Sequence, residues 1–228
     1  MTSTLASKLE SVKQNIAQAT LAAGRNPDGV TLVAVSKTMA SDVITPVLDQ
    51  GQRLFGENKV QEAAEKWPTL RHTYPDVELH LIGPLQSNKV RQALQIFDVI
   101  ETLDRPKLAR AIARIGKEED ISRRCYIQVN IGEEPQKAGI NPNEADDFIA
   151  FCRDELGLGI EGLMCIPPAN QDPTPFFTRM KDIADRNNLA KLSMGMTGDY
   201  KKAILCGATS VRVGTAIFGS RPAPQPSE

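Results

Sequence analysis

Residues 30–37 read Val30-Thr31-Leu32-Val33-Ala34-Val35-Ser36-Lys37, six β-branched or apolar positions followed by a serine and a lysine. A strand with one wet face would alternate. A run that stays apolar step after step is a strand covered on both faces, as in a parallel sheet flanked by helices. Upstream, Leu5, Leu9, Val12, Ile16, Ala19 and Ala23 recur at steps of four and three. That spacing draws one apolar stripe along a helix, with Gly24 placed to cap its end. The turn residues Asn26-Pro27-Asp28-Gly29 separate this helix from the strand.

Downstream the alternation repeats. Short apolar runs at 53–56, 78–82, 99–101, 125–130, 159–164, 191–193 and 210–213 read as strands. Helix-like segments at 42–50, 59–70, 88–95, 106–115, 143–156, 175–187 and 200–205 lie between them. About eight strands, each followed by a helical segment, predict an α/β protein built as a single (β/α)8 TIM-type barrel with an extra N-terminal helix. An open doubly wound sheet is the alternative, but no Gly-x-Gly-x-x-Gly follows the first strand. The barrel domain is expected over 1–220. The tail 221–228, with three prolines in eight residues, is expected to be disordered.

Composition narrows the function. The 27 Lys+Arg against 28 Asp+Glu give a net charge of -1, which makes no electrostatic case for a nucleic-acid or membrane partner. Cys125, Cys152, Cys165 and Cys206 form no CxxC pair, so they read as buried or half-buried thiols of a reducing compartment, and no metal is expected. The first residues lack a basic region followed by an apolar run, and a cytoplasmic location is expected.

In such barrels the chemistry sits at the C-terminal ends of the strands. The polar residues there are Lys37 after the first strand, Glu57 and Asn58 after the second, and His80 in the third. Met194 and Gly195 follow Ser193 at the seventh, and Arg212, Gly214 and Thr215 span the end of the eighth. Loops after strands seven and eight commonly bind phosphate. Gly195 and Gly214 would let backbone amides approach an anion, with Ser193 and Thr215 adding hydroxyls; alternatively these residues only turn the chain and cap helices. Lys37, projecting from an apolar strand into a barrel mouth, is a candidate nucleophile whose partly desolvated amine could form a Schiff base. It could equally pair with Glu57 or hold an anion as a fixed charge. His80 reads more simply as a core histidine than as a catalyst, and Met164, Met194 and Met196 as packing residues. No Ser/His/Asp order can be assembled from two histidines.

Taken together, several long motifs resemble the pyridoxal phosphate (PLP) homeostasis proteins. They include Val33-Ala34-Val35-Ser36-Lys37, Phe55-Gly56-Glu57-Asn58-Lys59-Val60-Gln61 and the stretch from His80 to Lys89. Lys137-Ala138-Gly139, Leu163-Met164-Cys165-Ile166, Leu192-Ser193-Met194-Gly195-Met196 and the stretch from Val211 to Gly219 complete the set. The resemblance runs from the first helix to about Phe218. It implies a fold type III PLP barrel, similar to the N-terminal domain of alanine racemase, with pyridoxal 5′-phosphate attached at Lys37. It further implies a phosphate held by Ser193, Gly195, Gly214 and Thr215, a pyridine nitrogen faced by Arg212, and a ring lined by Asn58 and Met194, with His80 nearby. Thr197 stands where that family often has serine, which keeps the hydroxyl.

A non-catalytic protein that buffers or delivers PLP is the favoured expectation, with PLP-dependent apoenzymes as transient acceptors. A fold type III racemase or decarboxylase is the alternative. The resemblance offers the chain no C-terminal β-domain of the racemase kind, and Tyr74, Tyr126 and Tyr200 supply no obvious second acid/base group. A monomer is expected for the same reason. A phosphosugar-binding barrel with an unmodified Lys37 fits the phosphate turn but not the assembled motifs.

Overall fold

A computed structural model describes residues 2–219. The tail 221–228 lies outside the described residues. Helix α1 (Thr2–Ala22) comes first and ends where Gly24 adopts φ 69°, a left-handed position that suits glycine. Then follow β1 (Thr31–Val35), α2 (Ser41–Asp49), β2 (Leu54–Glu57), α3 (Val60–Thr73), β3 (Glu78–Leu81), α4 (Val90–Ile96), β4 (Val99–Leu103) and α5 (Pro106–Glu119). The second half runs β5 (Arg124–Val129), α6 (Ala145–Ala150), β6 (Ile160–Cys165), α7 (Thr174–Arg186), β7 (Lys191–Ser193), α8 (Tyr200–Leu205), β8 (Ser210–Val213) and α9 (Thr215–Phe218). The strands close into a parallel barrel in chain order, with β8 pairing β1 through Val33↔Arg212 and Ala34↔Val213. This is the expected (β/α)8 barrel, and α1 packs on α2, α8 and α9 across the seam where the barrel closes.

Several expected boundaries differ: α3 runs on to Thr73 and α5 to Glu119, and two other differences bear on the interior. The segment read as one helix over 143–156 is α6 followed by a π-helical turn at Phe151–Glu155. Strand β4 runs two residues past its expected end, and its register against β5 shifts between Ile100 and Leu103. There Glu101 and Thr102 interrupt the apolar run that marked the strand.

Register fixes which side chains face inward. Residues paired across a parallel ladder share a face, and alternation exchanges faces at each step. Around the barrel, Val33 pairs Arg212, Val35 pairs Gly56, Gly56 pairs His80 and His80 pairs Val99. Tyr126 pairs Gly162, Met164 pairs Ser193 and Ser193 pairs Ser210, two residues before Arg212. These positions form the interior. Leu32, Ala34, Phe55, Leu79 and Leu81 face outward into the main core under the helices, where Trp67, Phe97 and Phe177 are fully buried. A separate small cluster of Val99, Tyr126 and Met164 packs inside.

Candidate functional site

The barrel interior carries a chain of charge where apolar side chains would ordinarily fill the layers. Arg124, at the start of β5, contacts Glu78 Oε2 at 2.6 Å, and Glu78 Oε1 lies 2.8 Å from His80 Nε2. His80 Nδ1 is 2.6 Å from Glu101 Oε1. Ser193 Oγ donates to Glu101 Oε2 at 2.6 Å and accepts from Arg212 Nη1 at 2.6 Å. Arg212 Nη2 donates to the Cys165 carbonyl at 2.9 Å, and Nη1 stands 3.8 Å from Glu101. His80, Glu101, Ser193 and Arg212 are all buried.

Burial pulls the His80 imidazole toward lower pKa, but the Glu101 and Glu78 carboxylates outweigh it and raise it to about 9. The His80 hydrogen bond draws Glu78 down to about 2, against burial and with help from Arg124. Burial alone would raise Glu101, yet His80, Arg212 and Ser193 hold it low. At neutral pH the chain therefore alternates in sign: Arg124 positive, Glu78 negative, His80 positive, Glu101 negative, Arg212 positive. One positive charge is left over, and Arg212 ends the chain at the seam between β8 and β1.

A stability profile follows. The raised His80 pKa contributes stability that is fully present below about 6.5 and is lost as pH rises through about 9. The depressed Glu78 pKa contributes above about 4.5 and is lost only as pH falls through about 2. Unfolding of the cofactor-free protein in denaturant is expected to lose about 2–3 kcal/mol between pH 6.5 and 9. His80→Gln should be less stable at pH 6.5 and nearly flat over that window. A wild-type profile equally flat would mean that the imidazole is neutral in the fold.

Above this floor lies the rim. Ser36 extends the β1 ladder through its N–H to the Gly56 carbonyl at 3.1 Å, and its hydroxyl reaches outward to Glu57 Oε1 at 2.5 Å. Lys37 follows, half-buried, in the turn just past the end of β1, where continued alternation would aim it into the mouth. Glu57 is not the partner of Lys37 that the sequence suggested. It faces the helix layer, where Lys66 Nζ at 2.8 Å and Trp67 Nε1 at 3.1 Å bind it.

The two glycine turns do different things. A Cβ at Gly214 would meet the Val35 carbonyl oxygen at 3.1 Å, so the end of β8 is pressed against the end of β1, two residues from Lys37. Gly214 caps the short α9: its carbonyl accepts the Ile217 and Phe218 amides at 2.9 Å, and the Thr215 and Ala216 amides before them precede the first intrahelical bond. Gly195 has φ 95° and a Cβ there would meet Ala203 Cβ at 2.6 Å, so its turn lets α8 pack closely. Its carbonyl accepts the Arg212 amide at 2.9 Å, which ties the loop after β7 to β8.

The expected residues thus fall into two tiers. Lys37, Asn58, Gly214 and Thr215 are at the rim, half-buried or exposed, and Gly195 and Met194 are buried beside them at the end of β7. Ser193, His80 and Arg212 belong to the floor. Glu101, Glu78 and Arg124, which complete the floor, were not anticipated as site residues. A carboxylate inside the apolar run Val99-Ile100-Glu101 was the available signal, since a buried charge requires a partner. Met196 is exposed, against the packing role read for it, while Met164 and Met194 are packed. All four cysteines are free thiols, with burial pushing Cys125, Cys152 and Cys165 up to about 12. Among the described residues no helix is long and apolar enough to cross a membrane.

The family described as alanine racemase, N-terminal domain, matches residues 7–222. A pyridoxal phosphate homeostasis protein of Pasteurella multocida is 39% identical, the match covering 96% of this chain and 98% of that one. The chain belongs to the pyridoxal phosphate homeostasis protein family. A solved family structure, PipY of Synechococcus elongatus with PLP bound, superposes with a TM-score of 0.81 at 33% identity, covering 94% of this chain and all of that one. Alanine racemase of Clostridium difficile shares the fold, with a TM-score of 0.75 at 15% identity, but this chain covers only 58% of its length.

Proposed function

We propose that this protein binds pyridoxal 5′-phosphate covalently at Lys37 and serves to buffer or deliver it, supporting vitamin B6 and amino-acid homeostasis. The observation that carries the reading is the β8–β1 seam. It brings Lys37, the Gly214 turn and the buried Arg212 to the adjoining ends of β1 and β8. The residues fit the group. PLP supplies an electrophilic aldehyde, a phosphate and a pyridine nitrogen; the seam offers an amine, a glycine turn opening a helix, and a guanidinium at the end of a net-positive chain.

Arg212 faces the ring nitrogen in this reading. Its guanidinium is fixed by Ser193 and the Cys165 carbonyl and stays protonated, so it donates a hydrogen bond without giving up a proton. A pyridine left unprotonated is a weak electron sink, which suits holding the cofactor better than broad carbanion chemistry. Thr215 and the amides at Gly195 and Gly214 hold the phosphate, and Asn58 and Met194 line the ring. The Ser193 hydroxyl spends its one proton on Glu101, so we assign it to orienting Arg212 rather than to the phosphate. His80 likewise acts through Glu101. Burial pushes the Tyr126 phenol up, which leaves it neutral and poorly suited as a base at physiological pH.

Delivery implies PLP-dependent apoenzymes as transient acceptors, and we propose a cytoplasmic monomer formed by one barrel domain over 1–220. The test is an absorption spectrum of purified protein with PLP, before and after borohydride, with the reduced adduct mapped by peptide mass. A visible band that borohydride bleaches, with the adduct on Lys37, is expected. Neither band nor adduct would leave a phosphate-binding barrel with an unmodified lysine.

A further inference from the structure

The connection that carries Lys37 is a tight turn. Its Met39 N–H donates to the Ser36 carbonyl at 3.0 Å, and Thr38, at the third position, has φ 64°. A left-handed conformation is uncommon for any non-glycine residue and an outlier for a β-branched one, and it persists where the surroundings over-determine it. Here α3 supplies the constraint. Glu62 Oε1 accepts the Thr38 N–H at 2.5 Å. Lys66 Nζ donates to the Ser36 carbonyl at 3.0 Å and to the Met39 carbonyl at 3.1 Å. Glu62 and Lys66 sit one helical turn apart and pair with each other at 2.8 Å, and Lys66 also pairs with Glu57, which holds the Ser36 hydroxyl.

Residues 36, 38 and 39 are therefore each fastened by a side chain from β2 or α3. Lys66 is buried, with 8% of its side chain exposed, and a buried ammonium that donates to two loop carbonyls and Glu62 and is ion-paired with Glu57 is an expensive arrangement. A plain ion pair would not require the loop carbonyls. What the arrangement fixes is the backbone on either side of Lys37.

We infer that Lys66 and Glu62 are positioning residues for Lys37, clamping the strained turn so that its side chain meets the cofactor in one place. The inference rests on the reading of Lys37 as the PLP-bearing lysine. It assigns Lys66 and Glu62 no contact with PLP and makes them act through the backbone at 36, 38 and 39.

The test compares Glu62→Ala, Glu62→Gln and Lys66→Met with wild type. Two quantities are read: the fraction of chains trapped on Lys37 by borohydride at limiting PLP, and the pH at which the visible band of bound PLP changes. Glu62 is partly exposed, so Glu62→Ala should fold even where Lys66→Met, which strands buried Glu57, does not. Glu62→Ala is expected to lower PLP affinity by about tenfold, as loosened support of a reacting group does, and to move the spectral transition. Glu62→Gln keeps an acceptor for Thr38 and should recover most of both. A purely structural clamp would lower the melting temperature in Glu62→Ala while leaving affinity and spectral pH at wild-type values, and that result overturns the inference. Wild-type protein without an adduct on Lys37 removes the underlying reading and this inference with it. An adduct on Lys37 in wild type, unaltered in Glu62→Ala, removes only the inference.

Discussion

Lys37→Ala is expected to reduce the borohydride-trapped adduct from stoichiometric to background while the protein stays folded and keeps weak affinity for PLP. The fold should survive because Lys37 is only half-buried and the turn is held through the backbone of its neighbours, by Glu62 and Lys66. Residual affinity should survive because the Gly214–Thr215 turn and Arg212 are untouched. The two contributions separate in a thermal-shift titration. A ligand that binds only the native state raises stability as its concentration exceeds its Kd, so wild type should climb steeply with added PLP and Lys37→Ala only at much higher concentration. Lys37→Arg is a useful companion, since it keeps the positive charge but not a nucleophilic amine. If Arg restores PLP binding without an adduct, the charge contributes on its own. An adduct that persists in Lys37→Ala would move the attachment to the lysine identified by peptide mapping and return Lys37 to a fixed charge.

Much of the fold was legible because a barrel strand buried on both faces writes itself as a short apolar run, as at 30–35, and helices with one wet face write a period near 3.6, as at 5–23. The rim was legible for a related reason: strand ends are local features, and Lys37, Asn58, Gly214 and Thr215 each follow such a run directly. The floor was not. Glu101 pairs with His80 across one ladder and reaches Ser193 from 92 positions away, and nothing local to β4 announces those partners. Ser193 shows the same limit from the other side. Its place at the end of β7 is a local feature, but its partners are not: register pairs it with Ser210 and Met164, inside the barrel, where its hydroxyl donates to Glu101. Glu57 was drawn toward Lys37 because both close neighbouring strands, whereas alternation sends it to the opposite face of the sheet and to Lys66. The break of 143–156 into a helix and a π turn also has no signature in an apolar period that stays continuous through it.

The buried charge chain makes Arg212 the residue whose loss should destabilise the fold most. Removing one member of a buried pair strands the other, and Arg212 donates to Ser193 Oγ and the Cys165 carbonyl while its guanidinium helps to neutralise Glu101. Arg212→Met, which keeps much of the volume, is expected to cost about 3–4 kcal/mol and to lower the melting temperature by roughly 10 °C. Arg212→Glu is a poorer probe of the ring nitrogen than its chemistry suggests, because Glu101 lies 3.8 Å from the guanidinium and two buried carboxylates would face each other. Arg212→Lys should fall between, retaining charge but not the fork that reaches Ser193 and Cys165 together. The decisive comparison is the double variant Arg212→Met with Glu101→Gln. If the cost arises from a stranded carboxylate, neutralising Glu101 should recover part of it, so that the double variant is less destabilised than the two single losses summed. Strict additivity would mean that Arg212 acts on stability through packing alone, and that the net positive charge beneath the rim serves the ligand rather than the fold.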